Sequence, residues 1–302
     1  MNSAIKSEHL SRSFGKVAAL SDVNLDVSAG AIYALVGPNG AGKTTAIKIL
    51  MNILAPTSGR AEVMGIDSAN LRGKAFTSIG YVSENQQLPE WMRVGAFFDY
   101  LRPFYPAWDR DLEKELIKQL QLPLDRRLSK LSRGMRMKAA LASSLAYHPK
   151  LIVLDEPFGG LDPLVRDELI ESLVERASEA TIFISSHDLA EIENLASHIG
   201  YLEQGRLQLS EEISALSERF REVELTLNQP ISTLPQNLPE SWMHVSASAA
   251  VVRFVASRFD ENHTNTEIQK HFGQARNVTF TPMPLRAIFL ALAKAGRSSA
   301  RE

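Results

Sequence analysis

The chain has 302 residues, a length that leaves room for about two domains. Apolar residues make up 44% of it and charged residues 23%, as in an ordinary globular protein with a sizeable core. The 33 basic and 35 acidic residues nearly balance, so no bulk positive charge favours nucleic acid as a partner. The absence of cysteine excludes disulfides, thiolate metal sites and cysteine nucleophiles.

Neither a secretory signal nor a membrane span is expected. Residues 1–6 lack the apolar stretch of a secretory signal. No window approaches about 18 consecutive apolar residues, the length that a membrane-spanning helix needs. Any role at a membrane is therefore expected to act through a partner.

Strand-like and helix-like patterns alternate through the first two thirds of the chain. The predicted strands cover residues 4–10, 17–27, 31–36, 61–64, 78–82, 151–154 and 181–185. Helices are predicted at 45–54 and 166–177, and residues 93–147 have a helical pattern with breaks at prolines. Strands separated by helical segments favour an α/β sheet with a helical insertion.

The pattern changes after residue 209. Strands are predicted at 222–227, 242–245, 251–255 and 278–281, and a helix at 264–272. A final helix is indicated by apolar residues at i, i+3, i+4 and i+7, namely Leu285, Ile288, Phe289 and Leu292. We predict a small α+β accessory domain over residues 211–302, after a first domain over 1–210. Its ten basic and ten acidic residues balance, so no nucleic acid is expected to bind it.

A glycine-rich run between the strand at 31–36 and the following helix is the strongest functional signal. Gly37 to Thr44 read GPNGAGKT and match the phosphate-loop pattern G-x-x-x-x-G-K-[ST] without a mismatch. Glycines let backbone N–H groups converge on phosphate oxygens at a helix N-terminus. Lys43 is expected to reach the outer phosphates and Thr44 to ligate Mg²⁺. We favour nucleoside triphosphate binding over a glycine-rich turn that binds nothing.

A pair of carboxylates supplies a second part of a site. Asp155 and Glu156 follow the apolar run 151–154, which places them at the C-terminal end of a buried strand. Asp155 is expected to hold Mg²⁺, and Glu156 to act as the general base on an attacking water. Alone, such a pair could equally well end a strand; beside a phosphate loop, catalysis is favoured.

Three further segments are predicted around the same edge of the sheet. Ser132 precedes a helical pattern as an N-cap, Asp162 follows Glu156 closely, and His187 follows the strand at 181–185. Each is weak evidence by itself, because a capped helix, a loop or a surface histidine is common. Their order and spacing along the chain are the evidence that they belong to one site.

Together these motifs are similar to those of the ATP-binding subunits of ABC transporters, and the chain resembles the ABC-2-type exporter ATPases over roughly residues 5–209. The resemblance implies a P-loop NTPase cassette with a mixed α/β sheet core, an antiparallel β subdomain and a helical subdomain at about residues 88–147.

The resemblance also implies roles for the matching residues. Those expected to bind the nucleotide are Phe14, which would stack on adenine unless it is a core residue, and Gly37, Asn39, Gly40, Ala41, Gly42, Lys43, Thr44 and Thr45. The catalytic set is Glu156, His187 and Lys43, and the Mg²⁺ set is Thr44, Asp155 and Glu84. The signature loop, expected to meet the partner's ATP, is Ser132, Arg133, Gly134 and Met135, and Asp162 matches the D-loop aspartate.

Two motifs depart from the family pattern, at three residues in all. The signature, usually LSGGQ, is LSRGM in this chain, with Arg133 and Met135. The Q-loop glutamine is replaced by Glu84, with Gln86 and Gln87 as nearby alternatives. A carboxylate could still reach Mg²⁺ or its water, but it cannot donate a hydrogen bond as an amide does.

The resemblance implies two partners. One is a second ATPase subunit, in a homo- or heterodimer around two ATP, and the other is a separate integral-membrane permease subunit. The protein would then be cytoplasmic and peripheral on the inner face of the cell membrane. Aromatic residues between 91 and 108 would form the permease groove or ordinary core. The segment 284–292 resembles the tail helix of exporters. An importer ATPase with a C-terminal regulatory domain, or a soluble ABC ATPase without a transport role, are the alternatives.

Overall fold

The computed structural model describes residues 3–84 and 86–299, which form two compact units, Met1–Ser210 and Glu211–Glu302. The first contains strands β1 Ser3–Phe14, β2 Val17–Ser28, β3 Ile32–Val36, β4 Ser58–Val63, β5 Ile66–Asp67, β6 Ile79–Ser83, β7 Leu151–Asp155, β8 Thr181–Ser186, β9 His198–Glu203 and β10 Arg206–Glu212. Its helices are α1 Lys43–Leu50, α2 Val94–Leu101, α3 Arg110–Gln119, α4 Arg133–Leu145 and α5 Pro163–Val174. Short 3-10 helices lie at Ser68–Asn70, Gly73–Ser78, Arg102–Phe104, Leu128–Lys130 and Leu189–Glu191.

A six-stranded sheet in the order β10-β9-β3-β8-β7-β6 forms the centre of this unit. The pairs β3–β8, β3–β9, β7–β8 and β6–β7 are parallel. Every residue of β7 and β8 is buried, as expected of central parallel strands covered on both faces. The carboxyl ends of β3, β6, β7 and β8 therefore meet at one edge.

A second sheet, in the order β2-β1-β4-β5, has antiparallel pairs. Its apolar face packs with α1 and one face of the central sheet into a single core that includes Ile5, Val63, Ile47 and Phe183. The mixed central sheet, the antiparallel sheet and the helical segment confirm the predicted fold class.

Helix α5 begins earlier than predicted because its N-terminus is capped. The Asp162 carboxylate accepts a hydrogen bond from the backbone N–H of Val165 at 3.1 Å, and Pro163 occupies the first turn. Both are start signals for a helix. Helix α1 likewise begins at Lys43, two residues before the predicted start at 45, and ends at Leu50 rather than 54.

Apart from the half-buried Tyr105 and Trp108, the aromatic residues between 91 and 108 divide into two groups. Phe97 and Phe98 are buried, as the core interpretation expects. Trp91, Tyr100 and Phe104 are exposed, Trp91 by 75%. Only this second group is available to a partner.

The second unit contains α6 Ile213–Arg219, β11 Arg221–Leu227, β12 Trp242–Ser248, β13 Val251–Ala256, α7 Glu261–Phe272, β14 Ala275–Pro282 and α8 Leu285–Ser299. Its antiparallel sheet has the order β12-β13-β11-β14. Trp242 stacks on Phe254 at 4.1 Å between ring centroids, and Ile268 of α7 joins this core. Within the parts of the chain that the structure describes, no helix is long and apolar enough to cross a bilayer.

Candidate functional site

The phosphate loop connects β3 to α1 in the narrow space between strands β2 and β9. Gly42, with φ 109°, is left-handed, and a Cβ there would lie 2.4 Å from the carbonyl oxygen of Ala19. A Cβ on Gly37 would lie 2.0 Å from the carbonyl oxygen of Leu202. Only glycine fits these two positions. Asn39 and Gly40 lie exposed at the tip of the loop.

Lys43 turns back across this loop. Its side chain is only 5% exposed, and Nζ donates to the carbonyl oxygens of Gly37 at 2.7 Å and of Pro38 at 3.2 Å. The same ammonium lies 3.0 Å from Oε1 of Glu156. A buried cation is thus held where the loop surrounds an anion site, next to Ala41 (buried) and Thr45 (half-buried).

Asp155, at the end of β7, lies beside two hydroxyl groups. Thr44 Oγ1 donates to its Oδ1 at 3.1 Å, and Ser185 Oγ donates to the same oxygen at 2.7 Å. Burial raises the pKa of Asp155, and the hydrogen bonds from Ser185 and Thr44 partly oppose this effect. A desolvated carboxylate beside a threonine hydroxyl matches the hard oxygen ligands that Mg²⁺ prefers. The described residues include no cluster of three His, Asp or Glu that could hold a metal.

Glu156 bridges two cationic side chains. Its Oε1 lies 3.0 Å from Nζ of Lys43, and its Oε2 lies 2.7 Å from Nδ1 of His187. The Glu156 backbone is left-handed, with φ 51°, and its N–H donates to Ser185 Oγ at 3.0 Å. A non-glycine residue in this conformation costs about 1–2 kcal/mol, and such conformations cluster at functional sites.

The Glu156 carboxylate also changes the pKa of His187. The hydrogen bond to Glu156 raises the pKa of His187, while partial burial opposes the shift. The imidazole therefore retains positive charge to higher pH than a free histidine. Lys43, Glu156 and His187 form a connected set of three ionisable side chains along the edge of the sheet.

The signature loop forms the start of α4. Ser132 is its N-cap, since Oγ accepts a hydrogen bond from the N–H of Met135 at 3.2 Å. A Cβ on Gly134 would lie 3.1 Å from Cγ1 of Val165, so this glycine permits close contact with α5. Lys138, further along α4, forms a mostly buried ion pair with Glu168 of α5.

Glu84 and Arg133 form an ion pair with each other. The Glu84 N–H donates to the carbonyl oxygen of Asp155 at 2.9 Å, so its backbone lies beside β7, but its carboxylate is bonded to Arg133. The Mg²⁺ role of Glu84 stays a prediction. The side-chain oxygen of Gln86, the alternative, accepts from the N–H of Ser83 at 3.3 Å.

Phe14 is 49% exposed at the end of β1, so it is not a core residue. The guanidinium of Arg12 lies 4.7 Å from its ring centroid. Ser185 is the residue that sequence reasoning missed. It contacts both Asp155 and Glu156, and its position two residues before His187 was the available signal.

Comparisons with known proteins identify relatives of this chain. The ABC transporter family model matches residues 20–159. A bacitracin transport ATP-binding protein of Bacillus licheniformis is 35% identical over 216 residues, which are 68% of this chain and 69% of that protein. A lantibiotic transport ATP-binding protein of Streptococcus pyogenes is 35% identical over 242 residues, covering 72% of this chain and 95% of that protein.

Among solved structures, the ATP-binding subunit of an ABC transporter superposes with a TM-score of 0.65 at 26% identity. The superposition covers 71% of this chain and 92% of that one. The fold, the phosphate loop and the two relatives lead to one conclusion: the chain belongs to the ABC transporter family, as one of its ATP-binding, ATP-hydrolysing subunits.

Proposed function

We propose that this chain hydrolyses ATP in a dimer with a second ATPase subunit and thereby drives a separate membrane permease in export. The observation that carries the proposal is the connected set of Lys43, Glu156 and His187 beside the pair of Thr44 and Asp155. The relatives named for bacitracin and lantibiotic transport support a transport role. The resemblance of residues 284–292 to an exporter tail helix favours export.

The loop from Gly37 to Gly42 would hold the phosphates with its N–H groups, and Lys43 would pair with their outer oxygens. Thr44 and Asp155 would hold Mg²⁺, which when bound neutralises part of the phosphate charge. The exposed ring of Phe14 is available to stack on adenine.

In the hydrolytic step, Glu156 would accept a proton from the attacking water. A γ-phosphate that takes over the contacts of Lys43 and His187 would release the Glu156 carboxylate to face that water. The raised pKa of His187 favours the charged imidazole that a phosphate attracts. The connected set is therefore able to respond to whether a γ-phosphate is present.

One chain supplies one phosphate loop and one signature loop. In the proposed dimer, Ser132 and Gly134 of each subunit complete the ATP site of the other, with Arg133 and Met135 flanking them and Asp162 near the interface. Contacts made only with ATP present would close the pair, and hydrolysis would remove them. Because Glu156, His187 and Ser132 are all present, this subunit can serve on both sides of such a site.

A groove of about 630 Å³ beyond β6 is the proposed permease site. Its lining is mixed. Apolar side chains come from Leu88, Trp91, Leu128, Met137 and Ala140, and polar or charged ones from Ser83, Glu84, Gln86, Gln87, Glu90, Arg133 and Arg136. This composition suits a short amphipathic segment of a permease at the inner face of the membrane. Trp91→Ala should reduce co-purification with a membrane protein after mild detergent extraction, while leaving the melting temperature unchanged. Equal co-purification would argue against this groove.

Mixing two inactive variants tests the shared site. Lys43→Ala removes the phosphate contact and Ser132→Ala the signature contact, so each homodimer should be inactive. A mixed dimer has one doubly defective site and one intact site, so mixing should restore ATPase activity. Ser132→Ala also removes a helix cap, so its melting temperature must be recorded as a control. If mixing restores nothing although both variants are folded and pair, the shared site is wrong.

A further inference from the structure

We infer that Arg133 is a charge-compensating positioning residue, which neutralises Glu84 at the nucleotide edge of the sheet and fixes the first turn of α4 there. The inference rests on the proposed use of this edge to bind ATP. It brings together two of the three residues at which the chain departs from the family pattern, since the added carboxylate of Glu84 and the added guanidinium of Arg133 are ion-paired.

Glu84 lies close to the predicted Mg²⁺ carboxylate. Ser83, the last residue of β6, is in register with Asp155 of β7, and the next N–H, that of Glu84, donates to the Asp155 carbonyl oxygen at 2.9 Å. Glu84 is therefore a third acidic residue at this edge of the sheet, and its Oε1 lies at the turn after Glu156, 3.5 Å from where a Cβ on Gly159 would be. Without a cation of its own, it would repel the phosphates of a bound nucleotide.

Arg133 supplies that cation from α4. Its guanidinium lies over the turn that follows Glu156, where a Cβ on Gly160 would be 3.1 Å from Nη1 and one on Gly159 would be 3.6 Å from Nη2. The side chain thus connects three segments: the turn after β6, the turn after β7 and the first turn of α4. The last of these carries Ser132 and Gly134, so the ion pair also sets the position of the signature loop.

The two charges have unequal roles toward an anionic ligand. Removal of Arg133 leaves Glu84 unpaired beside the phosphate site, which should weaken binding. Removal of Glu84 leaves a guanidinium there, which a phosphate tolerates or attracts. Removal of both charges should therefore restore most of what the loss of Arg133 alone removes. A purely structural role of Arg133 would not produce this restoration.

The test measures the affinity of the full-length chain for a non-hydrolysable Mg²⁺–ATP analogue by calorimetry, at low and high salt. Both partners are partly exposed, so the effect is modest: Arg133→Gln should weaken binding by about three- to fivefold. If the Glu84 carboxylate serves Arg133 and is not a required Mg²⁺ ligand, Glu84→Gln should change binding by less than about twofold, and E84Q/R133Q should return to within about twofold of the unchanged protein. A marked loss of binding in E84Q alone would instead indicate a Mg²⁺ ligand and overturn charge compensation. The loss in R133Q should shrink at high salt, because salt screens exposed charges.

Arg136→Gln is the matched control. Arg136 lies one turn further along α4, is similarly exposed and faces Glu90 at 3.8 Å rather than the sheet edge. Its removal takes the same charge from the same helix, and nucleotide affinity should not change.

Three outcomes separate the hypotheses. Charge compensation is wrong if R133Q binds the nucleotide as tightly as the unchanged chain. It is also wrong if the double variant E84Q/R133Q binds as weakly as R133Q alone. An equal loss in R136Q would overturn it as well, because any charge on α4 would then suffice. Lys43→Ala tests the site itself: if it leaves affinity unchanged, both the nucleotide site and this inference fail. If Lys43→Ala abolishes binding, failure of the restoration overturns this inference alone.

Discussion

Ser185→Ala should weaken the Mg²⁺ side of the site without disturbing the phosphate loop. Ser185 is fully buried, and its Oγ donates to Asp155 Oδ1 at 2.7 Å. A hydrogen bond to a charged group contributes about 1.5–3 kcal/mol, so the free energy of unfolding should fall by about that amount at neutral pH. The Glu156 N–H also loses Oγ as an acceptor but keeps the Ser185 carbonyl oxygen at 3.2 Å, so no further large cost is expected.

The pH dependence of the stability loss shows whether the missing hydrogen bond to Asp155 causes it. Because Oγ stabilises the ionised carboxylate, its loss raises the pKa of Asp155 in the metal-free chain further. The stability difference from the unchanged chain should shrink as the pH falls through the pKa of Asp155, since the protonated acid does not need this donor.

Urea unfolding of the metal-free chain at several pH values measures this effect. Ser172→Ala is the control, because Ser172 is equally buried and its Oγ donates only to the backbone oxygen of Glu168, at 3.0 Å. A Ser185→Ala protein whose loss of stability is the same at every pH would refute the assigned role of this hydroxyl.

Two further predictions concern the same edge. His187→Ala should reduce the free energy of unfolding more near pH 6 than near pH 9. A histidine whose folded pKa is raised contributes its stability below the unfolded pKa and loses it as the pH rises through the folded pKa. Equal losses in urea unfolding at both pH values would contradict this. Gly42→Ala should cost about 2–4 kcal/mol, because φ is 109° and the new Cβ meets the Ala19 carbonyl oxygen. Gly40→Ala, with φ 81° but open space, should cost only about 1–2 kcal/mol, and equal melting temperatures would contradict the steric argument.

The parts of the fold that the sequence predicts are those with a strong local signal. The apolar runs of β3, β7 and β8, the loop at Gly37–Thr44 and the cap at Ser132 each lie within a few residues of chain. Strands β9 and β10 were not predicted. The four central residues of β9 are buried and β10 is mostly exposed, so neither sequence has a long alternation of apolar and polar residues, and pairing with neighbouring strands supplies their stability.

The candidate site was also predicted only where the signal is local. Lys43, Thr44, Asp155, Glu156 and His187 follow from motif spacing, and the structure brings them together. The pairing of Glu84 with Arg133 joins residues 49 apart in the chain. Composition and periodicity do not report such a contact, so two apparent departures from a family pattern become one ion pair only in three dimensions.

Glu156→Gln tests the central claim most directly. The amide keeps the size of the side chain but cannot take a proton from water. The variant should bind Mg²⁺–ATP at least as tightly as the unchanged chain and accumulate as an ATP-bound dimer in light scattering. Its steady-state hydrolysis should fall by at least about a hundredfold, as expected when a general base is lost. Hydrolysis at an undiminished rate by a folded, ATP-binding Glu156→Gln protein would contradict the account.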